Sequence, residues 1–151
     1  MSRTEVRRFR MLALVLAGAA LLAGWAPAAD ARGRFGAAMM FRDDFDFGVQ
    51  LRWNRGEASH LNLVPQIGYF FDDSALDANL DLHYQVGGKE TTRFYVLGGL
   101  NLVTDFDDTE FGANLGGGVS HDLTSTLNGF AEVKYVLSDA DGLALHLGVY
   151  F

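Results

Sequence analysis

The stretch that decides the fold is Leu143-Ala144-Leu145-His146-Leu147-Gly148-Val149-Tyr150-Phe151. Side chains alternate across a strand. Leu143, Leu145, Leu147, Val149 and Phe151 therefore share one face, and Ala144, His146, Gly148 and Tyr150 share the other. One face is purely apolar, and the other mixes small, polar and aromatic groups. The chain closes on this strand with an aromatic residue.

Working backward, the same period-two alternation recurs between short turn-like clusters. It predicts eight strands, roughly Phe35–Arg42, Phe45–Asn54, Leu61–Phe71, Leu76–Val86, Arg93–Thr104, Phe111–Asp122, Leu127–Ser138 and Leu143–Phe151. Their lengths are near the ~9–11 residues that a tilted transmembrane strand needs. An even number of strands joined by hairpins can close into an up-and-down barrel with no free edge. The expected fold is all-β, an eight-stranded antiparallel up-and-down transmembrane barrel. Pro65 is awkward on the apolar face of the third strand. It removes one ladder hydrogen bond and predicts a bulge or weakened pairing nearby.

The two faces decide whether such a barrel is soluble or inside-out. The apolar face carries Phe47, Val49, Leu51 and Trp53, then Leu76, Leu80, Leu82 and Tyr84, then Phe94, Val96, Leu100 and Leu102, then Val133, Tyr135 and Leu137. The opposite face carries Gly48, Gln50, Arg52, Asn62, Gln66, Gly68, Asp77, Asn79, Asp81, His83, Gln85, Asn114, Gly116, Gly118, Asn128, Glu132 and Lys134. A soluble lipocalin-like barrel would turn its polar face to water, where Lys and Glu abound. Glycines and amides suit instead the narrow inside of an eight-strand barrel, which side chains nearly fill. Aromatics collect at the strand ends, with Phe35, Trp53, Tyr84, Phe94 and Phe151 toward one rim and Phe41, Phe45, Phe71, Phe106 and Phe111 toward the other. Two aromatic belts around an aliphatic band are the outer-membrane arrangement.

The other end of the chain agrees. Arg3, Arg7, Arg8 and Arg10 precede an apolar run from Met11 to Trp25, and Ala29-Asp30-Ala31 is a small-x-small cleavage site, with Ala26-Pro27-Ala28 a second candidate. This reads as a signal peptide over residues 1–31, whose apolar run is short of the ~20 residues a spanning helix needs. The barrel domain is then 32–151. Of 12 basic and 19 acidic residues, the leader carries four and two, leaving the domain at −9. That charge argues against nucleic acid as a partner. With no cysteine, no disulfide is possible.

By its residues the domain resembles the outer-membrane β-barrel family of the opacity-porin type. Phe111-Gly112-Ala113-Asn114-Leu115-Gly116-Gly117-Gly118-Val119 is similar to that family's glycine-rich sixth strand, and Phe130-Ala131-Glu132-Val133-Lys134-Tyr135 with the final strand to its last hairpin. The resemblance implies an outer-membrane location, and it makes Leu147, Val149 and Phe151 the signal read by the barrel-assembly machinery. His146 departs from it, standing where that signal favours glycine. No single activity is implied, since fold does not fix function.

Two groups of polar residues remain. If the first strand starts on the periplasmic side, the outward turns are Asp43–Asp44, Asp72–Ala75, Asp105–Glu110 and Asp139–Gly142. These turns and their flanks hold 12 of the domain's 17 acids. The exposed set is Asp43, Asp44, Asp72, Asp73, Asp105, Asp107, Asp108, Glu110, Asp139 and Asp141. Asp suits turns, but turn chemistry does not explain why the opposite turns carry a mixed set. A rim of carboxylates invites Mg²⁺ or Ca²⁺, which take oxygen ligands and could be shared with lipopolysaccharide phosphates. Inside, Arg52, Asp81, Arg93, Glu132 and Lys134 must pair to escape the cost of burial, as a salt-bridged plug or a polar conduit.

Catalysis is not expected. Ser120, His121 and Asp122 are consecutive on a strand, so they face alternate ways and cannot form a triad. His60, His83 and His146 lack metal-ligand spacing. The reading is a small, monomeric, non-catalytic barrel without cofactor, whose partners are outer-membrane lipid, lipopolysaccharide and, transiently, the assembly machinery. A lipid-modifying barrel enzyme and a soluble periplasmic binding barrel are the alternatives.

Overall fold

The structure, a computed structural model, describes residues 33–43, 46–55, 60–139 and 141–151. The expected signal peptide, Asp44 and Phe45 lie outside the described residues. Eight strands follow in order: β1 (Gly33–Arg42), β2 (Phe47–Arg55), β3 (Leu61–Phe70), β4 (Ala75–Lys89), β5 (Thr92–Thr104), β6 (Thr109–Asp122), β7 (Asn128–Leu137) and β8 (Gly142–Tyr150). Each pairs antiparallel with its sequence neighbours, and β8 returns to β1 to close the barrel.

Alternation puts an aliphatic wall outside and most polar side chains inside, where Met40, Val64, Phe70, Leu97 and Phe130 are buried with them. Leu80, Leu82, Val96, Leu100, Leu115, Val133 and Leu147 are open to the surroundings. Gln50, Gln66, Asn79, Asn101 and Asn114 are buried inside. Water-facing barrels show the reverse. At one end of the wall Phe35 stacks on Trp53, with centroids 5.8 Å apart. At the other, Phe47 lies between Phe41 and Phe71 at 5.5 and 5.6 Å.

Three details refine the sequence reading. The β2–β3 ladder lapses between Arg52↔Gln66 and Arg55↔Leu63 and resumes in the same register. The gap falls opposite Pro65, which has no N–H to donate, so its effect is weakened pairing. β4 runs three residues past Val86 through an irregularity between Gln85 and Gly87, which leaves Val86 out of the ladder with β5. Gly88 closes that hairpin at φ 132°, a conformation that costs a side-chain-bearing residue dearly.

Candidate functional site: a plugged lumen between two vestibules

The buried ion pairs of the lumen come from three strands. β2 supplies Arg52, β4 Asp81, and β7 both Glu132 and Lys134, two residues apart and so on one face. Arg52 donates through Nη1 to Glu132 Oε2 at 3.0 Å and through Nη2 to Oε1 at 3.3 Å, a two-pronged pairing. Lys134 Nζ contacts Asp81 Oδ2 and lies 3.3 Å from Glu132 Oε1. All four side chains are 0–1 % exposed. Two cations face two anions, so the formal charge of the group is zero.

Neutral donors and acceptors complete the valences. Tyr95 donates to Glu132 Oε2 at 2.9 Å. Gln66 donates to Asp81 at 2.8 Å and accepts from Lys134 at 2.7 Å, while Gln50 accepts from Arg52 Nε at 3.0 Å. Asn114 donates to Asp81 at 2.9 Å and to Asn79 at 2.6 Å, and Asn79 and Asn101 both donate to Asp77. The Arg52 guanidinium also lies over the Phe130 ring, 4.3 Å from its centroid. Buried charge is tolerable only when it is paired and hydrogen-bonded in this way. Gly99 makes room for it, because a Cβ there would run into Asp81.

Arg93 does not belong to this group. It sits one residue into β5, at the barrel mouth, with its side chain 39 % exposed, and it pairs with Asp122 at 3.1 and 3.3 Å. Proximity to the strand end, which alternation alone does not weigh, keeps it near water. Tyr95 belongs to the plug although it carries no charge. Its place between outward Phe94 and Val96 already marked it as inward.

The plug separates two cavities. One, of about 400 Å³, opens at the Asp-bearing turns and is floored by Lys134 and His146. The other, of about 230 Å³, opens at the opposite end among Arg34, Arg93, Asn54 and Asn62, and reaches His83, Tyr95 and Tyr150.

The acid-rich turns share one end, as hairpin alternation requires. Arg42 spans part of the mouth, 2.5 Å from Asp46 and 3.0 Å from Asp73, with its guanidinium 3.8 Å from the centre of the Phe70 ring. Asp43 accepts the Leu143 amide across the β1–β8 seam at 3.0 Å, and Asp141 accepts that of Ser138 at 2.8 Å. Asp105 accepts the amides of Asp107 and Asp108 at 2.9 and 2.8 Å. Those backbone N–H groups, that of Asp108 first, hold the Asp105 carboxyl below the usual range. Asp72, Asp107, Asp108 and Glu110 are exposed, and so is Asp139. Turn chemistry thus accounts for Asp43, Asp105 and Asp141.

Among the described residues one group of metal-capable side chains converges, Asp81, His83 and Glu132, with ligand atoms within 4.8 Å of one another. Lys134 and Arg52 already hold those carboxylates, and a cation would meet two fixed positive charges there. The described rim carboxylates form no such group. They make a field of negative charge without a ready chelate.

Solved structures share this architecture. The N-terminal β-barrel domain of Pseudomonas aeruginosa OprF superposes with a TM-score of 0.68 at 19 % identity, over 79 % of this chain and 95 % of that one. The fold is that of a transmembrane β-barrel. A de novo designed transmembrane barrel matches at 0.64 and 13 % identity, over 79 % of this chain and 92 % of that one. The Yersinia pestis outer-membrane protein Ail, in a phospholipid bilayer nanodisc, matches at 0.53 and 11 %, over 80 % of this chain and 99 % of that one. No family model and no curated protein matches the sequence. At these identities the likeness concerns fold, and it meets the fold that the opacity-porin resemblance implied.

Proposed function

We propose that the chain is a small, non-catalytic integral protein of the outer membrane, exported by its leader, that acts in envelope structure and surface contact. The observation that carries this reading is the inversion of faces: an aliphatic wall open to the surroundings around a lumen whose ion pairs are fully buried. Only a hydrocarbon solvent rewards that arrangement along every strand. The short turns leave little surface for an adhesin and suit contact with the membrane itself.

At the acid-rich end, Mg²⁺ or Ca²⁺ would bridge rim carboxylates to lipopolysaccharide phosphates. The rim supplies some oxygen ligands but no complete set, and phosphates and water would complete it. Leu147, Val149 and Phe151 would be read by the assembly machinery. Cell fractionation tests the location, with electrophoresis before and after boiling as the folding assay. Outer-membrane recovery and a mobility change on boiling are expected. Recovery in the soluble periplasm would leave a soluble binding barrel, and altered lipid A acylation on expression would leave an enzyme.

A further inference from the structure

The two interior histidines are not used by the ion pairs, yet both reach them. His146, on β8, places Nδ1 3.1 Å from Arg52 Nη2 and 3.8 Å from Glu132 Oε1, and it lines the larger cavity. His83, on β4, stacks on Tyr95 at 4.7 Å, sets Nε2 3.8 Å from Glu132 Oε2, and lines the smaller one. An arginine N–H can only donate, so the contact with Arg52 requires a lone pair on His146 Nδ1. The sealed lumen therefore holds His146 neutral.

We infer that His146 makes the plug an acid-sensitive seal between the two vestibules. A proton taken up at Nδ1 turns the acceptor into a donor and sets N–H against N–H. It also adds a third cation to a group in which Arg52 and Lys134 already match Glu132 and Asp81. The other groups facing the ring cannot absorb that charge. Glu132 is held by Arg52, Lys134 and Tyr95, and Asp81 by Lys134, Gln66 and Asn114. Tyr150 stands 3.5 Å from Arg52, and protonated His83 on the far side would add to the excess. The mobile partner is Arg52, which gives up His146 and Glu132 together and opens the path between the cavities. This inference rests on the membrane placement above for its setting only; the switch is intrinsic to the lumen.

The test is release of K⁺ from phosphatidylcholine vesicles into which the full chain has been folded, followed from about pH 7.5 down through the ordinary histidine value of about 6.5 to the pH at which imidazole ¹⁵N shifts report His146 protonated. A switch driven by one proton changes the open population by at most about tenfold per pH unit. Release should be slow at neutral pH and rise about tenfold or more in acid, while electrophoretic mobility still reports a folded barrel. His146→Gln keeps an acceptor for Arg52 but cannot titrate, and it should abolish the rise. His83→Phe keeps the ring stack and should preserve it. Imidazole ¹⁵N shifts of the unmutated barrel give a measure free of folding defects: His146 Nδ1 must gain its proton over the interval in which release rises. Equal release at both pH values overturns the inference, as does an acid rise in His146→Gln or protonation of His146 without release. A rise that accompanies loss of the folded mobility also overturns it, since it would report unfolding.

Discussion

At the residue scale the two faces make opposite demands. Leu100 is 67 % exposed on the wall, opposite Leu80 on one side and Ala113 on the other. Leu100→Arg should cost about 2–4 kcal/mol near the bilayer midplane. Its neighbour Asn101 points inward and donates to Asp77 and Asn79. Asn101→Ala should cost less, about 1 kcal/mol, because polar neighbours remain to re-pair. Urea titrations of both variants in vesicles check the ordering, and equal costs would contradict the assigned faces. Lys134→Met should cost about 3–5 kcal/mol, since it strands the buried carboxylate of Asp81, and the same titration reads it. Asp105 behaves differently because it lies in water. Its carboxyl is lowered by accepting the Asp108 and Asp107 amides, so their hold on the turn is complete above the ordinary value of about 3.9 and is lost as pH falls through the lowered one. Protection of the Asp107 and Asp108 amides, measured against the intrinsic exchange rate at each pH, should hold near neutrality and fall only in strong acid. Loss of protection already well above pH 4 would remove the carboxylate from the account.

At the element scale, the strands were legible because nothing competes with period two. Leu143 to Phe151 alternates without a break, and β8 runs from Gly142 to Tyr150. Leu61 to Phe70 was legible despite Pro65, since the register survives the lost hydrogen bond. What stayed hidden depends on distance to an end or on partners far away in sequence. Alternation marks Arg93 and Arg52 alike as inward, but only the assembled barrel shows that the first lies at a mouth and the second at the centre. The pairing of Arg52 with Glu132, 80 residues apart, has no local signature. Phe151 follows β8, and its amide donates to Phe35 O at 2.8 Å. Phe151→Asp should therefore both weaken the seam and spoil the assembly signal. Less protein in the outer membrane and more in the periplasm is the expected outcome of fractionation, and unchanged outer-membrane levels would dismiss the proposed signal.

At the scale of the whole molecule, the acids gathered at one end repel one another, and salt screens them over about 8 Å at physiological strength. Divalent ions that bind the folded rim stabilise the native state by mass action. Mg²⁺ should raise the thermal midpoint in detergent micelles more than Na⁺ at equal ionic strength, and Asn at Asp105, Asp107 and Asp108 together should shrink the difference. A divalent effect that is absent, or that survives those substitutions intact, would reduce the rim to turn chemistry.

The closing of β8 on β1 has a consequence for how the molecule comes into being. Seven pairings join sequence neighbours and need only short loops to form. The eighth joins residues of the first and last strands, such as Arg42 and Ala144, and must wait until both have been made. Until then the sheet is a curled ribbon with two raw edges, each able to recruit another chain. Non-local closure of this kind slows folding. The slowest step should be the meeting of the first and last strands, and an agent that shields those edges until they meet decides between a barrel and an aggregate.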